Sequence, residues 1–437
     1  MFSYRFTLLY IVSFVACYAT EPNSQKSEWD FCFSQNPAQD SSILISSNTA
    51  YSDKLGYGFE TNTPLNFVTR QTSNSTIAHF VTAEKPFFFS ARVAEGNYRV
   101  IVTLGDSEGE SITTIKAEVR RLMLERTLTT KGQSLTREFI VNVRSYHISD
   151  KVDVKLKPRE RTTELWNWDN KLTLEFNGPR PCIARLEIIK IDTLHTIYLA
   201  GDSTVCDQPL EPFASWGQML PRFFKPTVAI ANHAESGESL RSFIGEKRLA
   251  KLDTLLKEGD FLFIQMGHND QKEKGLNVGA FTTYKKSLEQ FIALARSHHT
   301  TPVLITPMNR RTFDSEGRVT NSLLDYPAAV RLVAKEQAVA LIDLNAMSKI
   351  LYENLGPEKT KLLFPMVRGQ LEATHHNNYG SYELAKCIIQ GIRDNHLSIS
   401  DAILDNLPAF DPIHPDIYGT CALDQSPFVS SEKPYGN

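Results

Sequence analysis

Thr196-Ile-Tyr-Leu-Ala200, followed by Gly201-Asp202-Ser203-Thr204, is the stretch on which the fold turns. The five residues carry no alternating polar face, so they predict a strand buried on both sides, as in a parallel sheet covered by helices. Residues 228–231, 261–266, 302–306 and 339–344 repeat the pattern downstream. Between them lie helical stretches, and Tyr284, Leu288, Phe291, Ile292 and Ala295 recur at helical spacing. Five such strands with crossover helices predict a three-layer α/β/α domain with a five-stranded parallel sheet over residues 193–400.

Upstream the grammar differs. Over residues 21–192 the apolar residues fall at every second position. Phe139, Val141 and Val143 alternate with Ile140, Asn142 and Arg144; Val152, Val154 and Leu156 alternate with charges; Leu172, Leu174 and Phe176 do the same. Such alternation predicts strands with one buried and one wet face, and Gly96-Asn97 and Asn177-Gly178 read as the turns between them. Many strands without intervening helices predict a β-sandwich preceding the α/β domain. Residues 401–437, rich in Pro, Asp and Ser, predict an irregular tail packed on the surface.

At 437 residues, two domains are the natural expectation. The 41% hydrophobic and 22% charged content is that of a globular protein, and a net charge of -3 with interleaved signs speaks against a nucleic-acid surface. Residues 1–20 differ: Arg5 precedes an apolar stretch ending in small residues, which reads as an export signal and a secreted, periplasmic or cell-surface protein. Val15-Ala16-Cys17 also resembles a lipoprotein cleavage site, in which case Cys17 would carry a lipid anchor to the membrane. The other five cysteines match no zinc spacing; Cys32 and Cys182, near the two ends of the first domain, are a candidate disulfide.

Open parallel sheets bind ligands beyond the carboxyl ends of their strands. Ser203 lies just beyond the first strand, Gly237 beyond the second and Asn269 beyond the third, so three polar features converge on one edge. Ser203 is either a helix cap or a nucleophile awaiting a base. Gly237 can bring a backbone N–H close to a developing oxyanion, and Asn269 can donate a side-chain N–H to the same oxygen. His375 is the candidate base, because Glu372 precedes it by three and a helical stretch follows it; His376 lacks an acid at that spacing. A carboxylate so placed can hold the imidazole tautomer and stabilise imidazolium. Arg241, Arg310 and Arg311 are either surface ion-pair partners or contacts for an anionic substrate. Trp166, Trp168 and Tyr57 are either packing residues or sugar platforms.

Gly201-Asp202-Ser203-Thr204, Asn232-His-Ala-Glu-Ser-Gly237 and Gly267-His-Asn-Asp270 resemble the motifs of the SGNH (GDSL-type) hydrolases. The segment 236–243 and Thr306-Pro-Met-Asn-Arg-Arg311 are similar to those of rhamnogalacturonan acetylesterases, and the preceding strands resemble a galactose-binding-like domain. The resemblance implies a carbohydrate esterase acting on acetylated pectic polysaccharide by a Ser-His-acid mechanism, with the Ser203 amide as a third oxyanion donor. It implies no metal or organic cofactor, and a monomer or weak oligomer is expected. The family's usual acid is Asp, and this chain has Glu372. An esterase for another acetylated glycan, such as xylan or a sialoside, and a carbohydrate-binding protein with an inactive hydrolase domain remain as alternatives.

Overall fold

The computed structural model describes residues 28–34, 42–60, 63–420 and 423–434. The expected export signal, with Cys17, lies outside the described residues, as does Cys421.

Strands dominate the described residues from 28 to 190. One sheet of seven strands runs Leu135–Val143, Gly96–Leu104, Cys182–Lys190, Trp29–Phe33 and Ile43–Ile45, with His79–Thr82 and Asn66–Thr69 joined to the side of Cys182–Lys190. A second, of five strands, runs Tyr57–Phe59, Phe87–Arg92, Lys171–Arg180, Ser111–Ala117 and Arg121–Thr129. Pairing is antiparallel except between Trp29–Phe33 and Ile43–Ile45. Both sheets contribute to one apolar core: Phe31, Phe33, Val100 and Val141 from the first, Phe87, Phe89, Leu174 and Phe176 from the second. Phe89 sits at its centre, with ring centroids 5.0 Å from Phe31, 5.2 Å from Phe59 and 5.5 Å from Phe33.

The faces expected to be wet are covered. Ile140, Asn142 and Arg144 are buried. Ile140 packs with Ile191 and with Ala229, the latter from the region that follows. Asn142 Nδ2 donates to Asn97 Oδ1 at 2.8 Å, and Asn97 Nδ2 reaches Thr196 Oγ1 at 2.9 Å. On the other sheet Glu175 and Asn177 are buried beneath the C-terminal tail, where Ser426 Oγ donates to Glu175 Oε2 at 2.6 Å and Asn177 Nδ2 to the Gln425 carbonyl at 2.9 Å. Period-two alternation marks a change of environment across the strand; it does not say that the second environment is water.

Other local readings need correction. Asn177-Gly178 is no turn. It is a bulge inside Lys171–Arg180, where the register against Ser111–Ala117 slips, and Gly178 is at φ +116° with the Ile112 carbonyl where a Cβ would stand. Gly96-Asn97 opens the strand Gly96–Leu104. The 152–156 alternation yields only Val152–Asp153, paired with His147–Ser149. Cys32 and Cys182 form no disulfide. Cys32 pairs in register with Arg185, three residues along the strand from Cys182, a shift of about 10 Å at ~3.3 Å per residue.

The second region holds five parallel strands, His195–Gly201, Val228–Asn232, Phe261–Gln265, Thr301–Ile305 and Ala340–Ile342, in spatial order second, first, third, fourth, fifth. Ile197, Leu199, Phe261, Phe263, Val303 and Ile305 enter one apolar cluster with residues of the helix Asn378–Asp394. Tyr198, Ala200, Leu262, Ile264 and Leu304 enter another with residues of Lys285–Ser297 and Tyr326–Glu336. The sheet is therefore buried on both faces, which is why its strands lack a polar side. The order places the carboxyl ends of the first three strands side by side.

Candidate active site

The turn after the first strand is held by its own side chains. Asp202 Oδ1 accepts from the Thr204 amide at 2.9 Å and its hydroxyl at 2.6 Å, and the Val205 and Cys206 amides donate to the Asp202 carbonyl, each at 3.0 Å. Gln265, ending the third strand, donates to Thr204 Oγ1 at 2.6 Å, and Gln208 Nε2 donates to the Ser203 carbonyl at 2.6 Å. Ser203 caps no helix. The first helix after it, Trp216–Met219, is capped by Ser215. Instead Ser203 Oγ lies 2.9 Å from His375 Nε2, with both residues buried. This contact joins residues 172 positions apart in the chain.

His375 lies between a short ribbon, Met366–Val367 with Gln370–Leu371, and the helix Asn378–Asp394, whose cap Asn377 accepts from the Gly380 amide at 3.0 Å. Glu372 Oε1 accepts from the Ala373 amide at 2.8 Å and the Thr374 amide at 3.1 Å. Glu372 Oε2 stands 3.9 Å from His375 Nδ1 and 3.3 Å from Lys433 Nζ. Burial opposes ionisation of Glu372, but the interaction with His375 and the two amides hold its carboxyl well below the usual range. Burial lowers the His375 pKa, and the Glu372 carboxylate only partly offsets this. His375 is therefore neutral at pH 7, as a proton acceptor must be. His376 faces elsewhere: its Nε2 lies 2.7 Å from the Tyr352 hydroxyl, and burial pushes its pKa down to about 3.

Gly237 sits in the loop after the second strand at φ +81°, a conformation that glycine adopts without strain. Asn269 follows the third strand; its Nδ2 donates to the Glu238 carbonyl at 2.9 Å, which occupies one of its two amide hydrogens. Gly237 and Asn269 line the same cleft, about 840 Å³ in volume. His268, between the two loops, has Nε2 3.1 Å from the Met308 carbonyl and Nδ1 3.3 Å from Asp202 Oδ2. It ties the turn that carries Ser203 to the end of the fourth strand.

The three arginines occupy other places. Arg241 is more than half exposed, beside Glu273. Arg310 donates to Thr374 Oγ1 at 3.1 Å and Arg311 to the Glu372 carbonyl at 3.4 Å, so both brace the segment carrying the acid and the histidine. The cations that line the cleft are Lys272, Arg368 and Lys433. Trp168 is buried beneath the Arg144 guanidinium, Tyr57 packs on Trp29 and Phe31, and Trp166 lies between Phe88 and Phe428.

Sequence reasoning missed the tail's part in the cleft. Residues 431–434 form part of its wall, anchored where the Glu211 amide donates to the Phe428 carbonyl at 2.8 Å and the Ser430 amide to the Glu211 carbonyl at 2.7 Å. No spacing rule links residue 433 to residue 372. The only hint was an irregular segment with a cation near its end.

A buried hydroxyl against a neutral imidazole, a carboxylate on the far side of that ring and N–H donors at a cleft make up the equipment for acyl transfer. Residues 199–370 match the model of the GDSL-like Lipase/Acylhydrolase family. Over 219 residues the chain is 39% identical to a rhamnogalacturonan acetylesterase (RhgT) of Bacillus subtilis, covering 48% of this chain and 94% of that protein. It is 27% identical over 402 residues to an uncharacterized esterase (YxiM) of the same organism, covering 88% of this chain and 96% of the relative. The crystal structure of YxiM aligns with a TM-score of 0.45 at 26% identity, over 85% of this chain and 99% of that one.

Proposed function

The chain belongs to the GDSL-like lipase/acylhydrolase family, and from that premise we propose that it is an exported carbohydrate esterase that removes O-acetyl groups from pectic rhamnogalacturonan. The observation that carries this reading is the 2.9 Å contact between Ser203 Oγ and His375 Nε2.

In this reading Ser203 Oγ attacks the acetyl carbonyl carbon while His375 Nε2 takes its proton. The carbonyl oxygen becomes an oxyanion held by the Gly237 amide, the Asn269 side chain and the Ser203 amide. The C–O bond to the sugar breaks, and His375 returns the proton to the departing hydroxyl. Water then attacks the acetyl-Ser203 ester while His375 takes its proton; the bond from Ser203 Oγ to the acetyl carbon breaks, His375 returns the proton to Oγ, and acetate leaves. Glu372 stabilises the imidazolium through space; at 3.9 Å its contact with Nδ1 is longer than a hydrogen bond. The N-terminal strands are read as a galactose-binding-like sandwich ending near residue 192, supported by two sheets sharing one core.

The substrate assignment draws on the acetylesterase relative and on Lys272 at the cleft, which suits a uronate carboxylate; Arg368 and Lys433 there already face Glu432 and Glu372. Acetate release from acetylated rhamnogalacturonan and acetylated xylan, measured side by side, tests it. Release should favour rhamnogalacturonan; equal release, or preference for xylan, would overturn the assignment while leaving acyl transfer standing.

A further inference from the structure

We propose that Lys157 and Arg159, carried by the strand-rich N-terminal region, are positioning residues for the oxyanion hole. They act through the peptide that joins Ser236 to Gly237. Lys157 Nζ donates to the Ser236 carbonyl at 2.8 Å, and Arg159 Nη2 donates to the same oxygen. That carbonyl belongs to the same planar unit as the Gly237 N–H, and in a trans peptide the two groups point in opposite directions. Anchoring the carbonyl therefore aims the N–H.

Two consequences follow from the chemistry. A carbonyl that accepts from two cations is polarised, and hydrogen bonds in series strengthen one another, so the N–H at the other end becomes a better donor. The clamp also resists a peptide flip. Gly237 at φ +81° has wide backbone freedom, and a flip would turn a carbonyl, in place of an N–H, towards the developing negative charge.

The clamp is itself anchored. Lys157 pairs with Glu238 and Arg159 with Glu235, so the loop is gripped on both sides of Gly237. The Lys157 amide donates to Glu160 Oε2 at 2.8 Å, and Glu160 is held by Arg248 at 3.0 and 2.6 Å. Glu160, Glu164 and Glu235 converge with carboxylate oxygens within 4.8 Å of one another. Arg159 reaches Glu164 at 3.3 Å as well as Glu235, and Arg248 covers Glu160. Burial and the neighbouring Glu235 push the Glu164 pKa up, which favours its protonated form and leaves two carboxylates facing two guanidiniums at the seat of the clamp. The N-terminal region thus completes the active site electrostatically without touching substrate.

This inference rests on the reading of Gly237 as an oxyanion donor. The test compares Lys157→Met, Arg159→Met and the double variant with the parent, measuring kcat and KM on an acetyl ester and the rate of Ser203 labelling by a phosphonate. Thermal melting confirms folding of each. The double variant should lose kcat on the order of tenfold to a hundredfold, less than the ~10²–10³ typical of removing a donor outright. KM should stay within about twofold, because a clamp acting on the transition state leaves ground-state binding alone. Labelling should slow in parallel. Lys157→Arg and Arg159→Lys, which keep the charge, should recover most of the loss. Arg161→Met, whose guanidinium lies over the Tyr146 ring, should match the parent.

Parent-like kcat in a folded double variant, or a rise in KM alone, overturns the clamp. If the double variant does not fold, the single variants decide by the same criteria. Ser203→Ala and Asn269→Ala separate the two levels. Both inactive with a fully active double variant means that only the clamp is wrong; parent-like turnover in Asn269→Ala means that the oxyanion reading has failed, in Ser203→Ala that acyl transfer at Ser203 has failed, and the clamp falls with either.

Discussion

In the proposed mechanism His375 accepts the Ser203 proton only as the neutral ring, and its surroundings set the pH at which that form prevails. Burial depresses its pKa and the Glu372 carboxylate partly restores it. The acid limb of kcat/KM should therefore fall below the ordinary histidine value of ~6.5. Glu372→Gln removes the restoring charge, so that limb should move to still lower pH while kcat drops, the drop reporting lost stabilisation of imidazolium. Rate profiles of both proteins between about pH 4 and 8 check this; a limb above the ordinary value, or one that moves up in the variant, would contradict it. At this scale the contact of Ser203 with His375 and the shared cleft of Gly237 and Asn269 follow a legible pattern. Ser203, Gly237, Asn269 and His375 were singled out because each follows a strand or a spaced acid. Lys433, Lys157 and Arg159 were not, because their partners lie far away in the chain and a lone cation carries no pattern.

Each strand of the parallel sheet ends within two residues of where its apolar run ends, because burial on both faces favours apolar side chains and leaves buried polar ones such as Asn232 and Gln265 to the strand ends. The helix Lys285–Ser297 was readable for the same reason, with Leu288, Phe291, Ile292 and Ala295 all buried. The N-terminal strands were legible as strands but not in what they face. Ile140, Asn142 and Arg144 look like a solvent face and are an interface. Asn177-Gly178 looks like a turn and is a bulge, because glycine serves both. The aromatic core between the sheets is the main support of these elements, and Phe89 touches three of its other rings. Phe89→Ala should destabilise the protein by ~3–5 kcal/mol, the usual cost of emptying a buried aromatic site. Chemical denaturation would show it as a lower midpoint; a loss under about 1 kcal/mol would mean that the core collapses around the gap.

The two regions share their polar interior. Arg121 Nε lies 3.1 Å from Asp207 Oδ2, Arg248 pairs with Glu160, and Lys251 Nζ lies 2.8 Å from Glu95 Oε2. The tail spans both regions, from Asp424 on Arg126 to residues 431–434 at the cleft. Separating the regions would strand buried charges, a cost of several kcal/mol per broken pair. The described residues should therefore melt in one cooperative transition by calorimetry, and two well-separated transitions would show that the interface is weaker than its contacts imply. None of this coupling was legible in a sequence that shows two grammars side by side; it depends on pairs such as Arg248 and Glu160, 88 positions apart. The proposed acyl transfer at Ser203 depends on a ring 172 positions downstream that takes its proton. Intact-mass analysis after treatment with an organophosphonate ester, run beside turnover of an acetyl ester, tests it most directly. The parent should gain one adduct, mapped to Ser203, and lose activity in step, while Ser203→Ala should gain none and be inactive from the start. Undiminished turnover by a folded Ser203→Ala protein, or an adduct on another residue that accounts for the lost activity, would contradict the claim.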